Sequence, residues 1–354
     1  MHPFKTVARS LLPFLLFAAP FPAADAFGPA DVPVRQQTAD ARLKAEFARF
    51  AALSDGSVGI AAQRIMPDGS LDPRVVTLNG DTLFPMASSY KIAVAGTILS
   101  QVDKGTVSLD TLLPVNPAIV VPSSGIAEQM PHRGVVLSVH NLLELMLTRS
   151  DNTATDVLVA KAGGPQVVNG WLRSIGIKGQ RVDSNTADLL YRAMGLSPEA
   201  LHKDGRTPGQ IMDAAMAADS ELQQRDARDL PNIAFANDPR DTSTPMAMAQ
   251  LLVAIRTGKA LKPQSTATLL DIMTRCHTGA ARLKGMLPPD TPVAHKTGSL
   301  NGTGVDAGIV TLPDGSLMAI AAFVMKDSKG HVSRDRIMAE AARAAFDYYL
   351  FTTA

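Results

Sequence analysis

A chain of 354 residues with 46% hydrophobic and 19% charged side chains has ample apolar material for a buried core, and its 34 basic and 33 acidic residues leave a formal net charge of +1. That balance carries no electrostatic footprint for nucleic acid, and no basic run is interleaved with aromatics. A small molecule or a peptide is the expected substrate class, while the single cysteine, Cys276, rules out an intramolecular disulfide and reads as a buried structural thiol.

Taken from the first residue, Lys5 and Arg9 precede an apolar run over 11–21 that ends near Ala24-Asp25-Ala26. This is the pattern of a secretory signal peptide, residues 1–26, cleaved before Phe27. The run is too short to span a bilayer and is broken by Pro13, Pro20 and Pro22, so the mature chain, residues 27–354, is expected as one exported, periplasmic, monomeric domain without stable membrane insertion. Residues 40–53 repeat apolar side chains at helical spacing, and residues 57–63 and 75–78 read as strands around a Met66-Pro67-Asp68-Gly69 turn. In the middle, Ser138 is a helix cap, Thr207-Pro208 and Ser197-Pro198 are helix starts, and Thr242-Ser243-Thr244-Pro245 opens another helix. Residues 305–312 and 317–324 flank Pro313-Asp314-Gly315-Ser316 as a hairpin, and Ile337, Ala341, Ala344 and Tyr348 share one face of a last helix. The expected fold class is α/β (α+β): an antiparallel sheet flanked by helices from the two chain ends, plus an all-helical lobe, with a site in the cleft between them.

Three short strings carry chemistry. Ser88-Ser89-Tyr90-Lys91 puts a hydroxyl and an amine three residues apart, on one face of a helix, and a serine becomes a nucleophile only when a base takes its proton. Lys91 serves as that base if its surroundings depress its pKa, to which the like charge of Lys296 contributes. In Ser150-Asp151-Asn152, Ser150 can pass a proton to a leaving nitrogen and Asn152 can hold both Lys91 and a substrate carbonyl, with Asp151 structural. Lys296-Thr297-Gly298-Ser299 reads as an edge strand presenting Lys296 and Thr297 to the cleft, with Gly298 allowing close approach of a substrate. The amides of Ser88 and Ser299 form a candidate oxyanion hole. A Ser-x-x-Lys string alone occurs roughly once by chance in such a chain, whereas the other two strings each arise in on the order of one chain in ten or twenty.

In this order the strings are the signature set of class A β-lactamases and penicillin-binding proteins. The resemblance to class A β-lactamases covers most of the mature chain: it includes Phe84-Pro85-Met86-Ala87, the stretch from Ser150 to Pro165, and Arg240-Asp241-Thr242-Ser243-Thr244-Pro245. It implies a serine β-lactamase acting through a Ser88 acyl-enzyme, of the kind that supports antibiotic resistance, without a cofactor or metal. Arg282, in Thr278-Gly279-Ala280-Ala281-Arg282, resembles the arginine that binds the substrate carboxylate in some members. The pattern breaks at one point, because the glutamate that activates the deacylating water in the family is matched by Thr186, which has no accessible ionisation at neutral pH. An excursion of roughly forty extra residues, far longer than an ordinary loop, enlarges the region 184–236; Asp188, Glu199 and Glu221 are its candidate replacement bases. Two other readings stay open: a penicillin-binding peptidase acting on D-Ala-D-Ala cell-wall peptides, and a sensor module that β-lactams acylate with slow release.

Overall fold

The computed structural model describes residues 31–201 and 205–352; the expected signal segment, residues 1–26, lies outside them. Helix α1 (Asp31–Ala51) leads into a hairpin of β1 (Ser57–Ile65) and β2 (Leu71–Leu78), turned at Met66–Gly69 as the Pro-Asp-Gly signal requires. The far end of the chain supplies β3 (Val293–Leu300), β4 (Thr303–Thr311) and β5 (Leu317–Met325), followed by a C-terminal helix, His331–Phe351. These strands form one antiparallel sheet in the order β2-β1-β5-β4-β3, so the two chain ends meet where β1 pairs with β5, from Ser57↔Met325 to Ile65↔Leu317.

Alternation along β5 explains why it is apolar throughout. Met318, Ile320, Ala322 and Val324 pack with Phe47 of α1 and with Ile337 and Phe346 of the C-terminal helix. Ala319, Ala321, Phe323 and Met325 point to the opposite face, into the helical lobe. A strand with both faces covered has no solvent side on which to place polar residues.

The lobe is organised around α2 (Lys91–Asp103), whose residues from Lys91 to Ser100 are all buried, as expected of a helix apolar on every side. Fully burying a side chain such as Ile98 contributes roughly 1.5–3 kcal/mol. Gly96 is obligatory there, since a Cβ would stand 2.1 Å from the Trp171 ring. Next come α3 (Val139–Thr148), capped by the Ser138 side chain on the Asn141 amide, and α4 (Asn152–Ala162), capped by Asp151. The three residues between them hold Ser150 at φ +58°, a left-handed conformation that turns α4 sharply off α3.

The excursion folds into α5 (Thr186–Met194), α6 (Pro208–Ala218) and α7 (Ser220–Ala227), with short helical turns at Pro198–Leu201 and Ile233–Ala236. Helix α6 starts where the sequence places it, on a capping box between Thr207 and Gln210. The neck of the excursion is closed by backbone and side-chain bonds. Arg181 N donates to Thr242 O, and the amides of Asp183 and Ser184 both donate to Asp241 Oδ1 at 2.7 and 3.0 Å. Thr244 then caps α8 (Pro245–Arg256), which packs on β1 and β5.

Candidate active site

Ser88 does not sit within a regular α-helix. It lies in a 3-10 turn, Ala87–Tyr90, immediately before α2, and Ala87 is held at φ +43°. A non-glycine residue in the left-handed region marks backbone held by its surroundings. The cause is packing of the turn against β3: a Cβ at Gly298 would stand 2.5 Å from Met86 O and 3.0 Å from Ser88 N. Gly298 therefore makes room for the chain's own nucleophile turn, a contact that the sequence reading, which assigned it to substrate approach, did not contain. The same contact brings the Ser88 amide alongside the strand that carries Ser299. Of the paired serines, Ser89 is fully buried and donates to Met86 O at 2.8 Å, whereas Ser88 remains partly exposed.

Two fully buried amines converge on Ser150. Lys91 Nζ donates to Ser150 O at 2.7 Å, to Asn152 Oδ1 at 2.8 Å and to Ser150 Oγ at 3.3 Å. Lys296 Nζ donates to Ser150 Oγ at 3.0 Å and to Thr297 O at 2.8 Å. The Lys91 amine is thus anchored on the Ser150-Asp151-Asn152 string, and among the described residues its hydrogen bonds do not include the Ser88 hydroxyl. Burial pushes the Lys91 pKa well below that of an ordinary lysine, and the neighbouring Lys296 charge pushes it the same way. Burial likewise lowers Lys296, to about 8, against the opposing pull of Asp306.

Asp151 is structural: its carboxylate accepts from the Ala154 amide, from Ser123 Oγ and from the Ile126 amide. Those bonds, with Asn152 Nδ2 donating to Pro122 O at 2.8 Å, pin a loop whose Ser123 and Ser124 enter the site. The resulting cavity, about 290 Å³, is lined by Ser88, Ser150, Asn152, Thr297, Ser299 and Arg282, together with Ser123, Ser124, Arg149, Thr278 and Gly279. Sequence reasoning missed Ser123, Ser124 and Arg149 as wall residues; no spacing in their loops signals them.

Arg282 is more constrained than a free anchor. Its Nε donates to Asp335, Nη1 to Gly298 O and Val305 O, and Nη2 to Ser299 Oγ at 2.7 Å. With five donors and four bonds it retains one N–H, and Ser299 is oriented by the same guanidinium. Thr297 Oγ1 lies 2.5 Å from Thr278 Oγ1, and Thr278 contacts buried Cys276.

No carboxylate lines this cavity among the described residues. Thr186 is buried, with Oγ1 2.7 Å from the Tyr90 hydroxyl and its amide 2.6 Å from Asp156. The candidate replacement bases lie elsewhere: Asp188 lines a different cavity, Glu199 accepts from Ser197 Oγ, and Glu221 is exposed at the start of α7.

Residues 42–349, which carry this sheet, the helical lobe and the serine and lysine strings, match a known family model described as the beta-lactamase enzyme family. The chain belongs to that family. Beta-lactamase VEB-1 of Pseudomonas aeruginosa is 29% identical over 283 residues, covering 77% of this chain and 80% of the relative. Among solved structures, a beta-lactamase from Chitinophaga pinensis superposes with a TM-score of 0.68 at 32% identity, covering 87% of this chain and 99% of that one. The TLA-1 extended-spectrum beta-lactamase gives a TM-score of 0.69 at 28% identity, covering 88% and 99%. The fold is thus that of the class A β-lactamases. No helix among the described residues is long and apolar enough to cross a membrane.

Proposed function

We propose that this β-lactamase-family chain is a serine hydrolase that opens β-lactam rings through a Ser88 acyl-enzyme. One observation carries the reading: beside a partly exposed serine, two buried lysine amines share the Ser150 hydroxyl, and among the described residues no carboxylate lines the cavity. In the acylation step Ser88 Oγ bonds to the lactam carbonyl carbon while its proton passes to the neutral Lys91 amine. The oxyanion is held by the Ser88 and Ser299 amides. As the C–N bond breaks, the ring nitrogen takes the Ser150 hydroxyl proton, which Lys91 resupplies. Lys296, Thr297, Asn152 and Arg282, through its remaining N–H and Ser299, bind the substrate's carboxylate and carbonyl groups. Water then cleaves the ester, releasing Ser88.

The carboxylate-free wall favours a second reading of the same site, a penicillin-binding protein or sensor that keeps its acyl group. A cell-wall D-Ala-D-Ala peptide would engage the same serine. For the whole molecule the reading is an exported, periplasmic monomer formed by residues 27–354, with residues 184–236 as an enlarged loop beside the site.

The deciding experiment is intact-protein mass spectrometry of the exported chain mixed with a penicillin, with lactam absorbance followed in parallel. Fast lactam loss with little lasting adduct is the expected result. A long-lived adduct with negligible turnover gives the second reading, and Ser88→Ala should remove the adduct altogether. Labelling that survives in Ser88→Ala would overturn both readings. The same spectrum tests whether the mature chain begins at Phe27.

A further inference from the structure

The cleft wall that carries Arg282 holds a second arginine. Arg149 directly follows α3, and its amide donates to Leu145 O, which closes the last turn of that helix. The residue before it is tied to the Arg282 segment, because Thr148 O accepts the His277 amide at 2.9 Å. From His277 the chain runs through Thr278, whose Oγ1 lies 2.5 Å from Thr297 Oγ1, to Gly279, where a Cβ would stand 3.2 Å from the Arg282 stem. Arg149, Thr278, Gly279 and Arg282 all line the Ser88 cavity. The two arginines thus flank one short segment on the same side of the cleft.

They are not equivalent as cations. Arg282 is buried, paired with Asp335, and commits its other bonds to Gly298 O, Val305 O and Ser299 Oγ. Arg149 is exposed, and among the described residues its side chain has no hydrogen-bond or ion-pair partner. Its guanidinium fork is open to a ligand, and that fork matches a carboxylate.

Substrate chemistry puts an anion on this side. Ser150, the next residue along the chain, is the group placed to protonate the leaving ring nitrogen. In a bicyclic β-lactam that nitrogen is bonded to the carbon bearing the ring carboxylate, on the side away from the lactam carbonyl. A molecule with its nitrogen at Ser150 therefore carries its carboxylate towards the wall that holds both arginines.

Building on the reading of the cleft as a β-lactam site, we propose that Arg149 is a specificity-determining residue: it is the exposed charge that selects β-lactams with a carboxylate on the carbon bonded to the ring nitrogen. Arg282 orients Ser299 from within the wall, and Arg149 meets the anion from the solvent side. A charge at the rim acts mainly on capture of substrate, so its effect is screened by salt.

The test is the second-order rate constant for Ser88 acylation, followed by intact-protein mass spectrometry, with benzylpenicillin and its methyl ester at low and high ionic strength. Where the acyl group is released quickly, the same constant is read as kcat/KM. Arg149→Gln should lower it about three- to tenfold for the acid at low salt and less than about twofold for the ester, and high salt should remove most of that difference. Arg149→Lys should keep most of the acid rate and its salt dependence. Because the side chain has no partner among the described residues, both variants should fold. Equal losses with acid and ester, or an unchanged acid rate in Arg149→Gln, would overturn the assignment while Ser88 acylation itself stands. Failure of either compound to acylate Ser88 in the unaltered chain would overturn the β-lactam reading, and this assignment with it.

Discussion

Buried charge is handled in opposite ways in the Ser88 cleft and in the neck of the excursion. In the cleft, Lys91 and Lys296 are both fully buried, yet their acceptors are neutral: two carbonyls, one hydroxyl and one amide oxygen. In the neck, Asp241 is almost as buried, but it is paired with Arg192 and held by the amides of Asp183 and Ser184. Arg192 also donates to Asp238 at 2.9 Å and to Ser184 Oγ at 3.0 Å. Burial pushes Asp238 up, but Arg240 and Arg192 more than reverse this and leave it lowered to about 2. The neck resembles a structural network, in which each charge has its counter-charge. In the cleft neither ammonium has a carboxylate hydrogen-bond partner among the described residues, and burial lowers both, Lys91 well below the ordinary lysine value and Lys296 to about 8, the direction a proton acceptor for serine needs. The difference lies in what surrounds each charge, since the depth of burial is similar.

The contrast can be broken most directly in the cleft. Lys91→Met removes the base while keeping the packing volume, and acylation by a penicillin should slow by about 10²–10⁴-fold with the thermal midpoint little changed. Stopped-flow acylation rates would measure it, and a loss under tenfold would move the base elsewhere. In the neck, Arg192→Ala leaves the buried Asp241 carboxylate without its counter-charge, while Asp238 keeps Arg240, and should cost about 3–5 kcal/mol of stability, read by denaturant unfolding. If unfolding shifts by less than 1 kcal/mol, the neck charges are not acting as a compensated set.

A sharper comparison comes from Arg282, which is paired like Arg192 but lies in the cleft wall. Arg282→Gln should lower kcat/KM about tenfold for substrates bearing the carboxylate, in line with the loss of about one charge-assisted hydrogen bond. An ester analogue should lose much less; equal losses would make Arg282 purely structural. The mildest test is pH. Lys296 must be protonated to attract an anionic substrate, so kcat/KM should fall as pH rises through about 8, and Lys296→Arg should move that limb upward. Because the folded value is below the ordinary 10.5, the unfolded chain holds the extra proton between these limits, and the stability contribution of Lys296 rises with pH across that window.

Local signals were legible wherever local physics decides. The Pro-Asp-Gly turns, the caps at Ser138, Thr207 and Thr244, and the apolar runs that flank the turn at Pro313–Ser316 each predict the element that forms. Even there the nucleophile turn departs from regular helix, because Gly298 lets β3 press on Met86–Ser88 across more than two hundred residues of chain.

The sequence by itself determined the composition of the sheet and lobe, the family resemblance, and the residue types at the serine, lysine and Ser-Asp-Asn positions. Tertiary structure alone decided that both lysines meet at Ser150, that Arg282 is already bonded to Asp335 and two carbonyls, and that the acids of the excursion lie away from Ser88. Turns, caps and periodicity depend on neighbours a few residues away, so they can be read along the chain. Burial, charge compensation and cavity walls depend on groups brought together from distant segments, and only the packed fold fixes which groups those are.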